Sequence, residues 1–285
     1  MEIIKRTPQM KALAARLREE GHRIGFVPTM GALHAGHMSL MQRARQMSDI
    51  VVVSIFINPI QFGPSEDLDR YPRDLAHDAE MCMSRGVDYI FAPLIDEVYP
   101  ENFSSYVIVE GLSDRLCGAS REGHFRGVTT VVSKLFNVVK PHFAFFGRKD
   151  AQQSVIIKRM VADLCMDPEI VVCPIVRDED GLALSSRNVY LSAEERQAAT
   201  VLHRSLEKVQ VLFGAGTREA AVLQAAMEEL IATEPLVRID YIEIVDTRDL
   251  EPVQAIEDGR PVLIAVAAFV GKTRLIDNVV LNGEI

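Results

Sequence analysis

The chain has 285 residues, and its 31 Lys and Arg against 40 Asp and Glu give a formal net charge of −9. Hydrophobic residues make up 48% of the sequence and charged residues 25%, which is typical of a globular protein that needs no disulfide or structural metal to build its core. The acidic balance argues against a protein that coats nucleic acid, because phosphates are bound mainly by Lys and Arg. It still allows a local basic site for a small anion.

The cysteine pattern and the apolar runs predict a cytoplasmic protein without a membrane segment. Cys82, Cys117, Cys165 and Cys173 lack CxxC spacing, and we interpret them as reduced thiols. The N-terminal sequence lacks the apolar region of a signal peptide. The longest apolar runs, such as 262–270, are too short to span a bilayer.

The first part of the chain alternates short apolar segments with helical ones. In chain order, strands are predicted at Arg23–Met30, Asp49–Asn58, Val87–Ala92, Tyr106–Glu110, His142–Phe146 and Glu169–Val176. Helices are predicted at Met38–Met47, Leu75–Arg85, Val128–Val139 and Ala151–Leu164. The strand at Asp49–Asn58 is almost continuously apolar, which is typical of a strand covered on both faces. This alternation predicts βαβ units and a mostly parallel sheet.

The pattern changes at Arg177–Gly181, a charged segment closed by glycine, and we place a domain boundary there, between residues 1–177 and 178–285. The sequence Ser192-Ala-Glu-Glu195 is a capping box, which predicts the start of a long helix that reaches about Phe213. A second helix is predicted at Arg218–Ala232, followed by strands at Val237–Val245, Val262–Phe269 and Leu275–Leu281. Helices followed by strands predict a smaller α+β domain.

The most informative stretch is Pro28-Thr-Met-Gly-Ala-Leu-His34-Ala-Gly-His37. It follows a predicted strand and precedes a predicted helix, at the carboxyl end of the strand, where parallel sheets bind ligands. Gly31 and Gly36 let the backbone approach a phosphate, and the helix N-terminus attracts an anion. Two histidines three residues apart can present imidazoles to the same anion, which favours phosphate binding over a simple surface turn.

Histidines spaced as His-x-Gly-His after a first strand resemble the motif of the nucleotidyltransferase superfamily. The resemblance implies that His34 and His37 stabilise the negative charge that builds on the transferred phosphate and on the departing pyrophosphate. The chain has neither a Walker A pattern nor a GxGxxG motif, so P-loop and dinucleotide-binding proteins are not favoured.

Further motifs narrow the resemblance to one family. The motifs are PTMGALHAGH (28–37), FINPIQFGPSEDLDRYPRD (56–74), GHFRGVTTVVSKLFNVVKPHFAFFGRKDAQQ (123–153), DGLALSSRNVYL (180–191) and TRLIDN (273–278). Together they resemble the pantothenate synthetases, which are ATP-dependent pantoate–β-alanine ligases. The resemblance implies a Rossmann-like N-terminal domain, a smaller C-terminal α+β domain that acts as a lid, and a homodimer. It also implies two steps, in which pantoate and MgATP give pantoyl adenylate and pyrophosphate, and the amine of β-alanine then releases AMP and forms pantothenate.

The resemblance also implies residue roles, with His37, His34, Lys149 and Arg187 as catalytic residues and His37 as proton donor to the departing oxygen. The implied ATP-binding residues are Met30, Gly31, His34, Gly36, His37, Gly147, Lys149, Asp150, Val176, Leu184, Ser185, Ser186 and Arg187. The residues implied for pantoate and β-alanine are Asn58, Gln61, Gln153 and His124.

The residue chemistry suits these roles, although simpler alternatives stay open at several positions. Neutral amides both donate and accept hydrogen bonds, as a hydroxylated substrate requires. Lys149 is a mobile cation suited to phosphate, whereas Asp150 suits a ribose hydroxyl or a helix cap equally well. The Ser-Ser-Arg187 sequence suits a phosphate clamp or a solvated loop. Arg148 stands where the family usually has Glu, and we expect its side chain to reach solvent.

No protein ligand of Mg²⁺ is predicted, because this ion usually keeps several waters and binds through substrate phosphates. Asp67, Asp69 and Asp74 are interpreted as solvated surface residues. The alternative functions are a nucleotidyltransferase that makes a stable nucleotide conjugate and a nucleotide-binding regulatory module without turnover. A tRNA synthetase is not favoured, because no anticodon-binding appendage or broad basic surface is evident.

Overall fold

The computed structural model describes residues 1–64 and 66–285, and it divides the chain into two compact units. Unit 1 comprises Met1–Asp114, Gly118–Gly147 and Ile156–Cys173, and unit 2 comprises Arg115–Cys117, Arg148–Val155 and Pro174–Ile285. Ser65, within the 56–74 motif, lies outside the described residues. The boundary after residue 177 and the lid role of residues 178–285 stay predictions.

Unit 1 contains a six-stranded sheet in the order β1-β4-β3-β2-β5-β6, and every recorded pairing between its strands is parallel. The strands are β1 (Glu2–Ile4), β2 (Ile24–Thr29), β3 (Ile50–Ile55), β4 (Tyr89–Phe91), β5 (Phe143–Gly147) and β6 (Glu169–Cys173). The predicted parallel α/β sheet is therefore confirmed. The chain runs from β2 toward β3 and β4 on one side and returns to β5 and β6 on the other. In such sheets the ligand crevice lies where the strand order reverses, beside the carboxyl end of β2.

Continuous apolar sequence explains the centre of this sheet. Val51, Val52 and Val53 on β3 are all fully buried, so both faces of the strand are covered, as predicted. The helices in the first 173 residues are α1 (Thr7–Glu19), α2 (Ala35–Met47), α3 (Leu75–Ser84), α4 (Ile95–Val98), α5 (Cys117–Ser120), α6 (His124–Val139) and α7 (Ala151–Asp163). No helix that the structure describes is long and apolar enough to cross a membrane.

The predicted strand at Tyr106–Glu110 is wrong, and threonine side chains explain why. The amide of Val107 donates to Thr130 Oγ1 at 3.0 Å, and Thr129 Oγ1 donates to the Val107 carbonyl at 2.6 Å. Both threonines lie on α6, so side chains satisfy the polar groups that a neighbouring strand would otherwise pair.

Unit 2 contains the antiparallel sheet β7-β8-β9, with strands β7 (Val237–Asp246), β8 (Val262–Val270) and β9 (Thr273–Leu281). Its helices after residue 190 are α8 (Ala193–Ala199), α9 (Val201–Gly214) and α10 (Ala220–Ile231). Buried residues of α9, α10 and the strands form one apolar core, which confirms the smaller α+β part.

The capping box that opens α8 is confirmed, but the long helix predicted after it is wrong because the helix is interrupted at Thr200. Thr200 Oγ1 donates to the Gln197 carbonyl at 2.8 Å, and the Thr200 amide donates to the same carbonyl at 3.3 Å. This tight local pairing replaces a regular helical turn between α8 and α9.

Candidate active site

The loop after β2 is built around Gly31 and a buried carboxylate. Gly31 has φ of +81°, and a Cβ there would lie 2.7 Å from Asp78 Oδ2, so glycine is required both by the backbone and by the close approach. Asp78 Oδ2 accepts from the Ala32 amide at 3.1 Å, and Asp78 Oδ1 accepts from the Leu33 amide at 2.8 Å. The Asp78 side chain, on α3, thus fixes the backbone that leads into His34.

Asp78 is 2% exposed, so its carboxyl group is held away from water. Burial raises the pKa of Asp78, while the two backbone N–H groups from Leu33 and Ala32 favour the carboxylate and oppose that shift. Asp78 has no motif context in the sequence, and it was not among the predicted site residues.

His34 and His37 form a reciprocal cap at the N-terminus of α2. His34 Nδ1 accepts from the Gly36 amide at 3.1 Å, His37 Nδ1 accepts from the His34 amide at 3.3 Å, and the ring centroids are 4.1 Å apart. These bonds assign the tautomers: a neutral imidazole that accepts at Nδ1 carries its proton on Nε2. Both rings are therefore Nε2–H donors, at the carboxyl end of β2 where the strand order reverses.

The amide of Gln61 is oriented by a chain of hydrogen bonds from β3 and its flanks. Asn58 Nδ2 donates to Gln61 Oε1 at 2.9 Å and to the Gly127 carbonyl at 3.1 Å, while Tyr99 Oη donates to Asn58 Oδ1 at 2.8 Å. Gln61 Nε2 in turn contacts Met30 Sδ at 3.2 Å. Asn58 is only 1% exposed and its polar atoms are engaged by protein groups, so its geometry is that of a residue that orients Gln61.

The backbone at Gln61 is held by the N-terminus of α6. A Cβ on Gly127 would lie 2.6 Å from Gln61 Cα, so glycine permits the helix to pack directly on this turn. His124 Nδ1 lies 2.9 Å from the Gln61 carbonyl, which can only accept, so Nδ1 carries the proton. His124 Nε2 then accepts from Arg121 Nη1 at 2.9 Å. Both ring nitrogens of His124 thus contact protein groups near Gln61.

Arg121 is itself fixed by Glu66, with Nε–Oε1 and Nη2–Oε2 distances of 2.6 and 2.7 Å. Burial opposes ionisation of Glu66, but hydrogen bonding and charge from Arg121 outweigh it, and the pKa of Glu66 is lowered. Tyr99, Glu66 and Arg121 were not among the predicted site residues, although Glu66 lies within the 56–74 motif and Arg121 lies just before the 123–153 motif.

The Gly147–Asp150 segment begins at the end of β5, and Arg148–Asp150 forms a 3-10 turn before α7. Asn278 Nδ2, from β9, donates to the carbonyls of Arg148 and Lys149, both at 2.9 Å. Arg148 is half-buried, and its Nε is buried without a hydrogen-bond partner among the described residues. The expectation that its side chain reaches solvent therefore does not hold for Nε.

Two adjacent glutamines open α7 with different environments. Gln152 is buried; its Oε1 accepts from the Cys117 amide at 2.9 Å, and its Nε2 donates to the Arg115 carbonyl at 2.6 Å. Gln152 is therefore a structural residue of unit 2. Gln153, the residue implied for pantoate, is half-buried.

Val176 and Leu184 are joined across a tight hairpin in unit 2. The Leu184 amide donates to the Val176 carbonyl at 3.0 Å, and Arg177 bridges to Ala183. Ser185 Oγ then accepts from the Arg187 amide at 3.2 Å and caps the 3-10 turn Ser186–Tyr190. Val176 and Leu184–Arg187, all implied by the family resemblance for ATP, thus lie in one local assembly.

Each unit thus gathers a subset of the predicted residues. Unit 1 brings together Met30, Gly31, His34, Gly36, His37, Asn58, Gln61 and His124 around the ends of β2 and β3, with Gly147 at the end of β5. Unit 2 contains Lys149, Asp150, Gln153, Val176, Leu184, Ser185, Ser186 and Arg187. Among the described residues, no group of three or more His, Cys, Asp or Glu side chains is arranged to hold a metal ion.

Comparison with known proteins gives a consistent result. The family model described as pantoate-beta-alanine ligase matches residues 2–280. The pantothenate synthetase of Caldicellulosiruptor bescii is 53% identical over 284 residues, which is 100% of both chains. The crystal structure of pantothenate synthetase from Thermus thermophilus has a TM-score of 0.92 and 46% identity, and covers 98% of this chain and 99% of that one. The Francisella tularensis pantoate-beta-alanine ligase, complexed with beta-gamma ATP and beta-alanine, has a TM-score of 0.78 and 33% identity, with 98% and 97% covered.

Proposed function

The chain belongs to the pantoate–β-alanine ligase family, and on that premise we propose a residue-level mechanism for its joining of pantoate to β-alanine. The activity is that of an ATP-dependent ligase that makes pantothenate. The observation that carries the mechanism is the reciprocal cap of His34 and His37, which places two Nε2–H donors at the reversal point of the sheet.

In the first step, a carboxylate oxygen of pantoate attacks the α-phosphorus of ATP, and the bond to the β-phosphate oxygen breaks. Pantoyl adenylate forms and pyrophosphate leaves with the electron pair of the broken bond. Negative charge grows on the departing oxygens, so the Nε2–H groups of His34 and His37 stabilise the transition state. His37, in the first turn of α2, donates a hydrogen bond from Nε2–H to the departing oxygen and keeps its proton.

In the second step, the amine of β-alanine attacks the acyl carbon of pantoyl adenylate. The carbon–oxygen bond to AMP breaks, AMP leaves, and the nitrogen loses a proton as the amide of pantothenate forms. Gln61 contacts pantoate and β-alanine, and Gln153 contacts pantoate. The hydrogen bond from Asn58 to Gln61 Oε1 and the contact of Gln61 with Met30 support this role, because they fix the amide in one orientation.

The proposed ATP contacts differ in chemistry from one part of the nucleotide to another. Lys149 and Arg187 bind phosphate oxygens as cations, together with Ser185 and Ser186 as hydroxyl donors. Val176 contacts adenine through its main chain, and Asp150 accepts from the ribose. Leu184 lies beside Val176 through the hairpin, and Met30, Gly31, Gly36 and Gly147 supply backbone near the phosphates.

Mg²⁺ accompanies ATP in this proposal and supplies positive charge to the triphosphate. The proposal assigns no protein ligand to Mg²⁺, because this ion usually keeps several waters and binds through substrate phosphates. The role of the chain is therefore to bind the phosphates with His34, His37, Lys149 and Arg187.

Pyrophosphate release tests the mechanism when ATP, Mg²⁺ and pantoate are supplied without β-alanine. We expect His37→Ala to slow this release by about a hundredfold to a thousandfold, the usual effect of removing one transition-state donor. Gln61→Ala should raise KM for pantoate more than KM for ATP. Mass spectrometry should identify pantoyl adenylate, and β-alanine should convert it to pantothenate and AMP.

His142→Ala is the matched control, because His142 Nδ1 also accepts a backbone N–H, from Ile24 at 2.9 Å. It removes a comparable hydrogen bond from unit 1 and should leave pyrophosphate release intact in the folded protein. Wild-type turnover in both His37→Ala and Gln61→Ala would contradict the proposed site. A nucleotide conjugate that persists after the addition of β-alanine would instead favour a nucleotidyltransferase.

Two further properties belong to this proposal: a homodimeric assembly and a cytoplasmic location. The homodimer is carried over from the family resemblance, and light scattering would measure the mass of the assembly. The cysteines of the described residues form no disulfide, in keeping with a reducing compartment.

A further inference from the structure

The TRLIDN motif on β9 ends in two adjacent buried polar residues, Asp277 and Asn278, to which the proposed mechanism assigns no role. Asp277 and Asn278 are each 3% exposed, and each holds a different segment of unit 2. Successive side chains of a strand point to opposite faces, so two adjacent residues can reach two separate partners. Buried polar groups that are hydrogen-bonded to backbone far away in sequence constrain where that backbone lies.

Asn278 holds the turn that carries Lys149. Its Nδ2 donates to the carbonyls of Arg148 and Lys149, and both distances are 2.9 Å. The amide thereby uses both of its protons on two consecutive peptide groups. This contact fixes the backbone from which the Lys149 side chain extends, just before α7.

Asp277 holds the hairpin that carries Val176 and Leu184–Arg187. Asp277 Oδ2 accepts from Arg177 Nη1 at 2.6 Å, and Asp277 Oδ1 accepts from Arg177 Nη2 at 2.9 Å. Arg177 Nη1 also donates to the Gly181 carbonyl at 3.0 Å, across the turn of the hairpin. The forked guanidinium thus ties both sides of the hairpin to one carboxylate on β9.

We propose that Asp277 and Asn278 are positioning residues for ATP, which hold the Lys149 turn and the Val176–Arg187 hairpin in the spacing that the nucleotide requires. Neither residue touches the reacting atoms in this proposal; each acts through backbone that it fixes. The inference rests on the proposed function, in which Lys149, Val176 and Arg187 contact ATP. Its consequence is that β9 is part of the nucleotide site and not only of the core of unit 2.

The chain offers a matched control for each residue. Asn282 Nδ2 also donates to two backbone carbonyls, those of Glu257 at 2.9 Å and Arg260 at 3.5 Å, away from the ATP segments. Asp246 is another buried carboxylate of unit 2 that is paired with arginines, Arg248 at 3.0 Å and Arg260 at 2.6 Å. Each control removes the same chemistry without altering the Lys149 turn or the hairpin.

The experiment compares Asn278→Ala with Asn282→Ala, and Asp277→Asn with Asp246→Asn. Thermal unfolding is measured first, and KM and kcat for ATP are then measured by pyrophosphate release at saturating pantoate. Asn278→Ala and Asp277→Asn should each lower kcat/KM for ATP by about tenfold to a hundredfold, as expected when bound groups are displaced by a fraction of an ångström to 1 Å. The two controls should lose thermal stability without this loss in kcat/KM.

Lys149→Ala, measured alongside, distinguishes a failure of the positioning role from a failure of the proposed function. If Lys149→Ala loses ATP use while Asn278→Ala and Asp277→Asn match their controls, the positioning role is wrong and the proposed function stands. If Lys149→Ala itself keeps wild-type KM and kcat, the proposed function is wrong at this residue. Should Asn278→Ala not fold, the Asp277→Asn and Asp246→Asn pair decides, since these changes keep side-chain size: equal kcat/KM overturns the inference and a selective loss supports it.

Discussion

Two helices of this molecule, α2 in unit 1 and α8 in unit 2, begin with the same reciprocal hydrogen-bond pattern but with different side chains. At α8, the Glu195 amide donates to Ser192 Oγ at 3.2 Å, and the Ser192 amide donates to Glu195 Oε2 at 2.9 Å. At α2, His34 and His37 take the places of Ser192 and Glu195. The unpaired backbone N–H groups at a helix N-terminus are therefore capped by the same pattern at two places in this chain.

The difference between the two caps shows how a helix cap can also bind an anion when its side chains are histidines. A serine hydroxyl and a carboxylate cap a helix well, but a carboxylate only accepts hydrogen bonds and repels phosphate. An imidazole has two nitrogens, so Nδ1 accepts from the backbone while Nε2–H is directed to other acceptors. The histidine cap of α2 can thus hold the helix and bind an anion at the positive end of the helix dipole.

Replacing the histidine cap by the serine–glutamate cap should separate these two roles, and we expect the largest effect from it. The double change His34→Ser and His37→Glu keeps a capping box on α2 but removes both Nε2–H donors and adds a negative charge. Adenylation should fall by at least about a thousandfold. The thermal unfolding temperature should stay at or above that of the wild type, because the new pair is a better cap. Pyrophosphate release and circular dichroism measure the two effects.

The reciprocal exchange at α8 is the control. Ser192→His with Glu195→His places the histidine cap where no nucleotide contact is proposed, so activity should be unchanged and stability slightly lower. If the exchange at α2 left adenylation intact, the histidines would be only a cap, and the functional difference between the two helices would disappear.

A second difference is that the loop leading into the α2 cap is held by Asp78, whose carboxylate accepts from the Ala32 and Leu33 amides. The change Asp78→Asn leaves one acceptor for the two amides of Ala32 and Leu33, since an amide group offers only one oxygen. We expect a loss of about 1 to 2 kcal/mol in the free energy of unfolding, because a buried N–H loses its partner while relief of a buried charge offsets part of the cost. KM for ATP should rise, because the loop before His34 is less well fixed.

Asp74→Asn is the control for this prediction, measured by chemical denaturation and ATP kinetics. Asp74 caps the same helix, α3, through the His77 amide at 3.0 Å, and Asn is as good a cap as Asp. It should therefore change neither stability nor KM. An equal response of the two variants would mean that Asp78 supports only α3 and not the loop.

The contrast also explains how much of the site could be predicted from the sequence. His34 and His37 were recognisable because the strand, the glycine-rich loop and the helix that define their place are contiguous in sequence. Asp78 was not, since it meets Leu33 across 45 residues, and Asn278 meets Arg148 across 130. Such partners are fixed by tertiary packing, and only the TRLIDN motif pointed toward the second of them.

In the fold, too, several features set by local sequence were predicted, whereas a feature set by distant contacts was not. The parallel sheet and the α8 capping box were predicted because their periodicity and cap chemistry are local. Helix α1 was not predicted, although Met10, Leu13, Ala14 and Leu17 are buried at helical spacing. The segment at Tyr106–Glu110 has strand-like composition, but its pairing was decided by the distant Thr129 and Thr130.

The smallest expected effect comes from Ser192→Ala, which breaks the α8 cap alone. The Glu195 amide would lose its side-chain acceptor, which typically costs about 1 kcal/mol of unfolding free energy. The pair is exposed, so water replaces part of the bond, and Ser192→Asp should restore stability because a carboxylate is an equally good cap. Pyrophosphate release should not change in either variant. A loss of activity in Ser192→Ala that Ser192→Asp rescued would mean that the α8 cap, like that of α2, contributes to the nucleotide site, since Ser192 follows the proposed phosphate-binding turn by only a few residues.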